Sequence, residues 1–176
     1  MNLEDLSTRY TVKTVTDRDI PSVYQLAVQN PMFYQYCPPA VTCDSIKQDM
    51  MALPPGKLYS DKYYMGFWDQ DQLIAVMDLI LKYPDDATVW IGFFMVNKGV
   101  QFQGIGSLII TELCDYLKSE GYASIRLGYA KGNPQSEAFW SKNRFIKTGT
   151  EIQADDYVTV VMERKLGFAP GTHANL

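Results

Sequence analysis

The sequence predicts an α/β (α+β) fold with seven strands and four helices. Three features carry that expectation. Short runs rich in β-branched and aromatic residues recur along the chain, as in YTVKTV at 10–15. Thr88–Val96 (TVWIGFFMV) is nearly all apolar, as a central strand covered on both faces should be. Residues 104–120 carry the clearest helical stripe, with Ile105, Leu108, Ile109, Leu113, Tyr116 and Leu117 on one side.

Taken in order, 10–15 alternates and is the first strand. Thr16 or Asp17 caps the next segment, where Ile20, Val23, Tyr24, Leu26 and Ala27 recur at helical spacing as far as Gln29. Asn30-Pro31 breaks this helix, and 31–41 (PMFYQYCPPAV) reads as an aromatic loop. A second helix covers 42–52 and stops at Leu53-Pro54-Pro55-Gly56. Strands at 62–68 and 72–83 flank a hairpin turn at 69–71. Pro84-Asp85-Asp86 turns the chain into Thr88–Val96. The 104–120 helix ends at Gly121, a fitting C-terminal stop. A strand at 124–129 precedes a helix over 133–143, with Asn133-Pro134 as N-cap and first helical residue. Strands at 145–151 and 157–164 complete the order. No domain boundary interrupts it, so the expectation is one domain over 1–166 and a C-terminal tail at 167–176.

Composition narrows the function. The chain has 176 residues, 47% hydrophobic and 20% charged, with a net charge of -4. That is globular composition, and its acidic balance argues against a general nucleic-acid binder. The single histidine, His173, lies near the C-terminus, where ends fray. Histidine-based triads and zinc sites are therefore not expected, and no metal is implied. Cys37, Cys43 and Cys114 form no CxxC pair, which points to reduced thiols and a cytoplasmic setting. Residues 1–10 hold Glu4 and Asp5 without an apolar core, so no signal peptide is expected. No apolar run approaches the ~20 residues of a membrane span.

The segment with chemistry is Gln101-Phe102-Gln103-Gly104-Ile105-Gly106. It joins the buried strand to the best helix. A glycine-rich turn there leaves backbone N–H groups unpaired, and the helix dipole adds partial positive charge. That is an anion site, most naturally for phosphate. A Walker loop fails because Ile105 stands where lysine is required after Gly104. A dinucleotide fingerprint fails because Ile109 replaces the third glycine. The strand reading Arg126-Leu127-Gly128-Tyr129 also lacks the acidic ribose ligand.

The remaining pattern is Q/R-x-x-G-x-G/A. With the apolar strand before it, and helix, strand and Asn133-led helix after it, the chain resembles the GCN5-related N-acetyltransferase (GNAT) family. The upstream order fits as well, so the resemblance covers most of 10–164. It implies a mixed, mainly antiparallel central sheet flanked by helices, with acetyl-CoA as donor co-substrate. It also implies that backbone N–H groups of Phe102, Gln103, Gly104, Gly106 and Ser107, in the motif opened by Gln101, hold the pyrophosphate. Backbone groups of Phe94 and Val96 would pair with pantetheine where the sheet splays. Asn133 would bond the pantetheine arm as well as cap its helix. Phe139 and Trp140 would pack near the thiol end; Phe139 also reads as core.

Two departures from the family pattern matter. The position commonly held by a tyrosine acid is Trp140, which cannot protonate a leaving thiolate. Water, or Tyr129 at the end of its strand, would supply that proton; Tyr129 equally reads as packing. A thiol pKa of ~8.5 makes this tolerable. The second departure is that Thr88–Val96 carries no carboxylate where many relatives place a glutamate. Asp78, inside the apolar run 73–81, is the nearest candidate base, set either in the acceptor pocket or on a solvent face. A base matters because deprotonating a lysine-like amine costs about 4.6 kcal/mol at pH 7. Acceptor selection falls to 31–41, with Tyr34 and Tyr36 beside Asp78; of Tyr63 and Tyr64 only one can face the cleft.

The function expected is direct acetyl transfer to a primary amine of a small molecule or peptide, by a monomer or homodimer without nucleic-acid or membrane partners. The alternative is a non-catalytic acyl-CoA-binding or sensor domain of the same fold.

Overall fold

The computed structural model describes residues 1–154 and 156–167. His173 and the expected tail beyond residue 167 lie outside them. Seven strands form one sheet: β1 (Thr11–Thr14), β2 (Lys62–Asp69), β3 (Gln72–Ile80), β4 (Thr88–Val96), β5 (Ser124–Ala130), β6 (Ile146–Gln153) and β7 (Val158–Lys165). Their spatial order is β1-β2-β3-β4-β5-β7-β6. Only β4 and β5 run parallel; every other pairing is antiparallel.

Helices cover both faces, which explains the unbroken apolar character of β3 and most of β4. On one face, α1 (Ile20–Val28) buries Ile20, Val23, Leu26 and Ala27 in a cluster with Tyr64, Val76 and Met95. Beside it lie α2 (Pro31–Tyr36) and α3 (Cys43–Met51). On the other face, α4 (Ile105–Ser119) buries Ile109, Ile110, Leu113 and Leu117 against Met77, Leu79, Val89, Ile125 and Leu127. α5 (Pro134–Lys142) adds Trp140 to this second core.

Most expected elements stand within a residue or two of their expected bounds. The main correction is at 31–41, where the structure forms α2. Pro31 occupies the first helical turn, where its missing N–H costs nothing and its fixed φ suits the helix. The same proline that ends α1 therefore starts α2. The strand expected at 72–83 stops at Ile80. Leu81 donates its N–H to the Asp61 carbonyl, and Lys82 adopts a left-handed φ of 55°. The penultimate strand runs to Gln153 and begins just after Phe145.

The segment before β1 is tied to α4 through Glu112. Its carboxylate accepts from Ser7 Oγ (2.8 Å), Thr8 N (3.0 Å) and Thr8 Oγ1 (2.6 Å). Burial alone would raise this carboxyl, but those donors outweigh it and hold the pKa below the usual range. A depressed carboxyl stabilises the fold above its unfolded pKa, and that contribution disappears as pH falls through the folded value. Glu112→Ala should therefore cost about 1–3 kcal/mol near neutral pH, read by chemical denaturation. The difference from wild type should shrink below pH ~4.5 as the wild-type carboxyl protonates.

Candidate active site

The parallel pairing of β4 with β5 runs from Thr88 opposite Ser124 to Ile91 opposite Leu127 and then stops. At that point Gly92 is an extra residue in β4, because Leu79 faces Ile91 while Asp78 faces Phe93. A bulge of this kind bends its strand. Beyond it the two strands diverge. Phe93, Met95 and Asn97 turn their amides toward β3, consistent with the Asn97 N–H to Ile74 carbonyl bond of 2.8 Å. By alternation Phe94 and Val96 turn theirs into the gap. The result is a short free strand edge inside the sheet.

Next to this edge lies the loop preceding α4. Phe102 and Gly104 both have left-handed φ, 61° and 81°. Among the described residues, none of the N–H groups from Phe102 to Ser107 donates to a protein acceptor. They form an electropositive patch on the helix N-terminus. A Cβ on Gly106 would stand 3.0 Å from the Phe139 ring, so glycine there permits the close approach of α4 and α5.

Edge and loop open on one cavity of 440 Å³. Its wall includes Phe94, Val96, Gln101, Phe102, Gly104, Gly106, Ser107, Asn133, Phe139 and Trp140. Of the residues expected to hold the cofactor, only Gln103 is not in that wall. The Phe102 side chain is 98% exposed, so the position contributes mainly backbone. The Gln101 amide turns inward, donating to the Val96 carbonyl (2.9 Å) and Asn30 Oδ1 (2.7 Å). Asn133 caps α5 by accepting from Gln135 and Ser136 N–H. Its Nδ2 has no protein acceptor among the described residues, and the residue lines both this cavity and the smaller one beside it.

A second cavity, of 120 Å³, adjoins the first through Phe33, Phe94, Asn133, Ser136 and Trp140. Gly92, Gly128, Cys37, Tyr157 and Thr159 complete much of its wall. Phe94, Phe139, Trp140 and Phe145 make a continuous aromatic contact chain beside the junction. Tyr34 and Tyr36 line neither cavity. Tyr34 packs edge-on against Phe33, and burial, followed by Asp49 and Cys37, pushes its pKa up to about 12. Phe33 and Cys37, four residues apart, take the inner position instead. Their i,i+4 spacing was the available signal, hidden while 31–41 read as a loop.

Asp78 stands on the α1/α3 face of β3 and is only 9% exposed. Its Oδ2 accepts from Lys62 Nζ at 2.8 Å, and the Lys62 side chain is 4% exposed. Oδ1 is buried without a hydrogen-bond partner. Burial raises the Asp78 pKa, Lys62 opposes the rise, and Asp49, exposed at the rim on α3, adds to it. A Cβ on Gly92 would lie 2.6 Å from Asp78 Oδ2, so the carboxylate abuts the strand segment lining the smaller cavity. Tyr64 faces the same side as Asp78, and Tyr63 packs toward the α4 core. Tyr129 donates its hydroxyl to Glu137 Oε2 (3.0 Å), and Lys147 holds the other oxygen of that carboxylate. Burial and then Glu137 raise the Tyr129 pKa. The described residues contain no group of three or more His, Cys, Asp or Glu able to hold a metal ion. None of their helices is long and apolar enough to cross a membrane.

The sequence profile of the Acetyltransferase (GNAT) family matches residues 22–145. The chain belongs to that family, and its enzyme class is the acyl-CoA-dependent N-acetyltransferases. No curated protein matches the sequence. Among solved structures, an acetyltransferase from Thermus thermophilus superposes with a TM-score of 0.68 at 15% identity, over 89% of this chain and 98% of that one. The PaiA N-acetyltransferase of Thermoplasma acidophilum, solved with coenzyme A, gives 0.64 at 16% identity, over 88% and 98%. The spermidine N-acetyltransferase of Vibrio cholerae, solved with CoA and spermine, gives 0.66 at 16%, over 91% and 97%. At these identities the likeness is one of fold.

Removing Lys62 strands a buried carboxylate. Lys62→Met should cost about 3–5 kcal/mol at neutral pH by urea denaturation. The penalty should shrink toward acidic pH, because protonation of Asp78 removes the unpaired charge. A cost under ~1 kcal/mol at neutral pH would show that the pair is solvated, as surface pairs are.

Proposed function

We propose that this enzyme transfers the acetyl group of acetyl-CoA directly to a primary amine of a small molecule or peptide. The observation that carries the reading is the free edge of β4 set against the unpaired N–H groups of Phe102–Ser107. An extended amide arm ending in a pyrophosphate matches both parts at once. Acetyl-CoA supplies an activated thioester. The chain holds it with the loop amides, the Phe94 and Val96 edge and the free Nδ2 of Asn133. Phe139 and Trp140 exclude water from the thiol end.

The amine enters from the α1/α3 face, through the smaller cavity. Phe33, Cys37, Tyr157 and Thr159 form its wall, with Tyr34 and Tyr36 in outer positions. Asp78 is the base or the ammonium anchor, acting past Gly92. Its raised pKa suits a base better than an ordinary aspartate would be suited. The backbone N–H groups on the β4 edge polarise the thioester carbonyl. Tyr129 lines the smaller cavity, but its hydroxyl is engaged as a hydrogen-bond donor to Glu137, so on this reading protonation of the departing thiolate is left to solvent. Most of the rate then comes from positioning two reactants on opposite sides of one gap. The spermidine enzyme's shared fold makes small polyamines sensible first acceptors to try, beside lysine-like peptides.

The first test is thermal unfolding with acetyl-CoA at about a hundred times its dissociation constant. Binding should add ~2.7 kcal/mol, a rise of roughly 5–11 °C at this size. Gly106→Leu should abolish it. Absence of a shift on folded wild-type protein overturns the reading. Thiol release is then followed with a panel of primary amines. Asp78→Asn should lower kcat by on the order of 10²-fold and leave the acetyl-CoA shift unchanged. Wild-type activity should rise with pH through the raised Asp78 pKa. A thermal shift without thiol release from any amine would leave donor binding standing and remove the transfer.

A further inference from the structure

We propose that Asn30 and Gln101 are positioning residues that tie the cofactor loop to α2, so that filling the cleft stiffens the acceptor wall. The inference rests on the reading above for which ligand fills the cleft.

The tie is a closed set of hydrogen bonds across 71 residues of sequence. Gln101 Nε2 donates to Asn30 Oδ1 (2.7 Å) and to the Val96 carbonyl (2.9 Å). Asn30 Nδ2 donates to that same carbonyl (3.3 Å) and to the Leu26 carbonyl in the last turn of α1 (2.9 Å). Both N–H bonds of each carboxamide are thus used, and the Val96 carbonyl accepts twice. Only one orientation of Asn30 works. Flipping it would set its Nδ2 against Gln101 Nε2 and its Oδ1 against two carbonyls.

Both parts line the larger cavity, Gln101 from the loop and Asn30 with Phe33 from the α1–α2 side, and the bonds join one to the other. Gln101 opens the loop whose N–H groups face the cleft. Asn30 is buried at the α1–α2 junction, and its own carbonyl accepts the Phe33 N–H (3.1 Å) in the first turn of α2. Pro31 follows directly, so a shift of Asn30 carries α2 with it. Phe33 in that helix and Cys37, its C-cap, line the smaller cavity, and Phe33 the larger one as well. A ligand that orders the loop therefore orders Asn30, and through it the acceptor wall. Ordering already spent on the first ligand need not be spent again on the second, which is positive coupling between the sites.

Hydrogen exchange with saturating coenzyme A tests this without knowledge of the acceptor. Wild type, Gln101→Ala and Asn30→Ala are compared at 104–108 and at the α2 amides 32–37. In all three, coenzyme A should slow exchange at 104–108. In wild type alone it should slow α2, by about fivefold, falling below about twofold in the variants. If coenzyme A merely touches Phe33 directly, α2 protection persists in both variants and the inference is overturned. An unresponsive α2 in wild type overturns it as well. Should Asn30→Ala fail to fold, Gln101→Ala carries the comparison, since Gln101 is only part-buried and lies in a loop outside the two core clusters. No binding by wild type at 104–108 would remove the cofactor reading itself, and this inference with it.

Discussion

The site depends on one failure of pairing. β4 and β5 are parallel partners for four residues and then separate, because Gly92 is inserted into β4 opposite the β3 register. Separation leaves the amides of Phe94 and Val96 without a neighbouring strand. Unpaired backbone inside a sheet is costly unless something bonds to it. Here the Val96 carbonyl is satisfied by two side-chain amides, and Phe94 lines the 440 Å³ cavity. The same glycine leaves room for the Asp78 carboxylate beside the gap. One inserted residue thus makes the cleft and places a charge near it.

The second constraint is electrostatic. Seven of the eight other residues in β3 are buried and uncharged, and Asp78 sits among them. A carboxylate there is tolerable only with a partner, and Lys62 supplies one from β2. The pair still leaves Oδ1 without a donor. An ammonium or amine entering from that face is the kind of group that would complete it. The pair joins two features of the fold: it stabilises a charge the core would otherwise reject, and it keeps a carboxylate with a raised pKa against Gly92, which lies in the wall of the smaller cavity.

What the sequence disclosed followed what is local. The 101–106 motif was readable because an anion site made of backbone needs glycines at fixed places, and composition shows them directly. Both sheet faces were readable from unbroken apolar runs. α2 was not, since a proline after asparagine signals a stop and a start equally well. That one ambiguity leaves the tyrosines Tyr34 and Tyr36 conspicuous in the sequence while Phe33 and Cys37 take the inner positions. The Lys62 partnership was hidden for another reason. A tight turn pairing Asp69 with Gln72 would set Tyr63 opposite Asp78. The irregularity between Phe67 and Trp68 shifts the register by one, bringing Tyr64 opposite Asp78 and Lys62 within reach. Gln101 was legible as part of the motif, but its inward turn depends on Asn30, which only the folded chain brings near.

The central claim is that the gap between β4 and β5 receives the acyl donor lengthwise, with the reactive sulfur at the junction of the two cavities. A crystal structure of the protein with coenzyme A tests it most directly. The account requires the pyrophosphate on the N–H groups of Phe102–Ser107, the amide arm along Phe94 and Val96, and the sulfur among Phe94, Trp140 and Asn133. Coenzyme A bound elsewhere, or bound at the loop with its arm outside the gap, would contradict it.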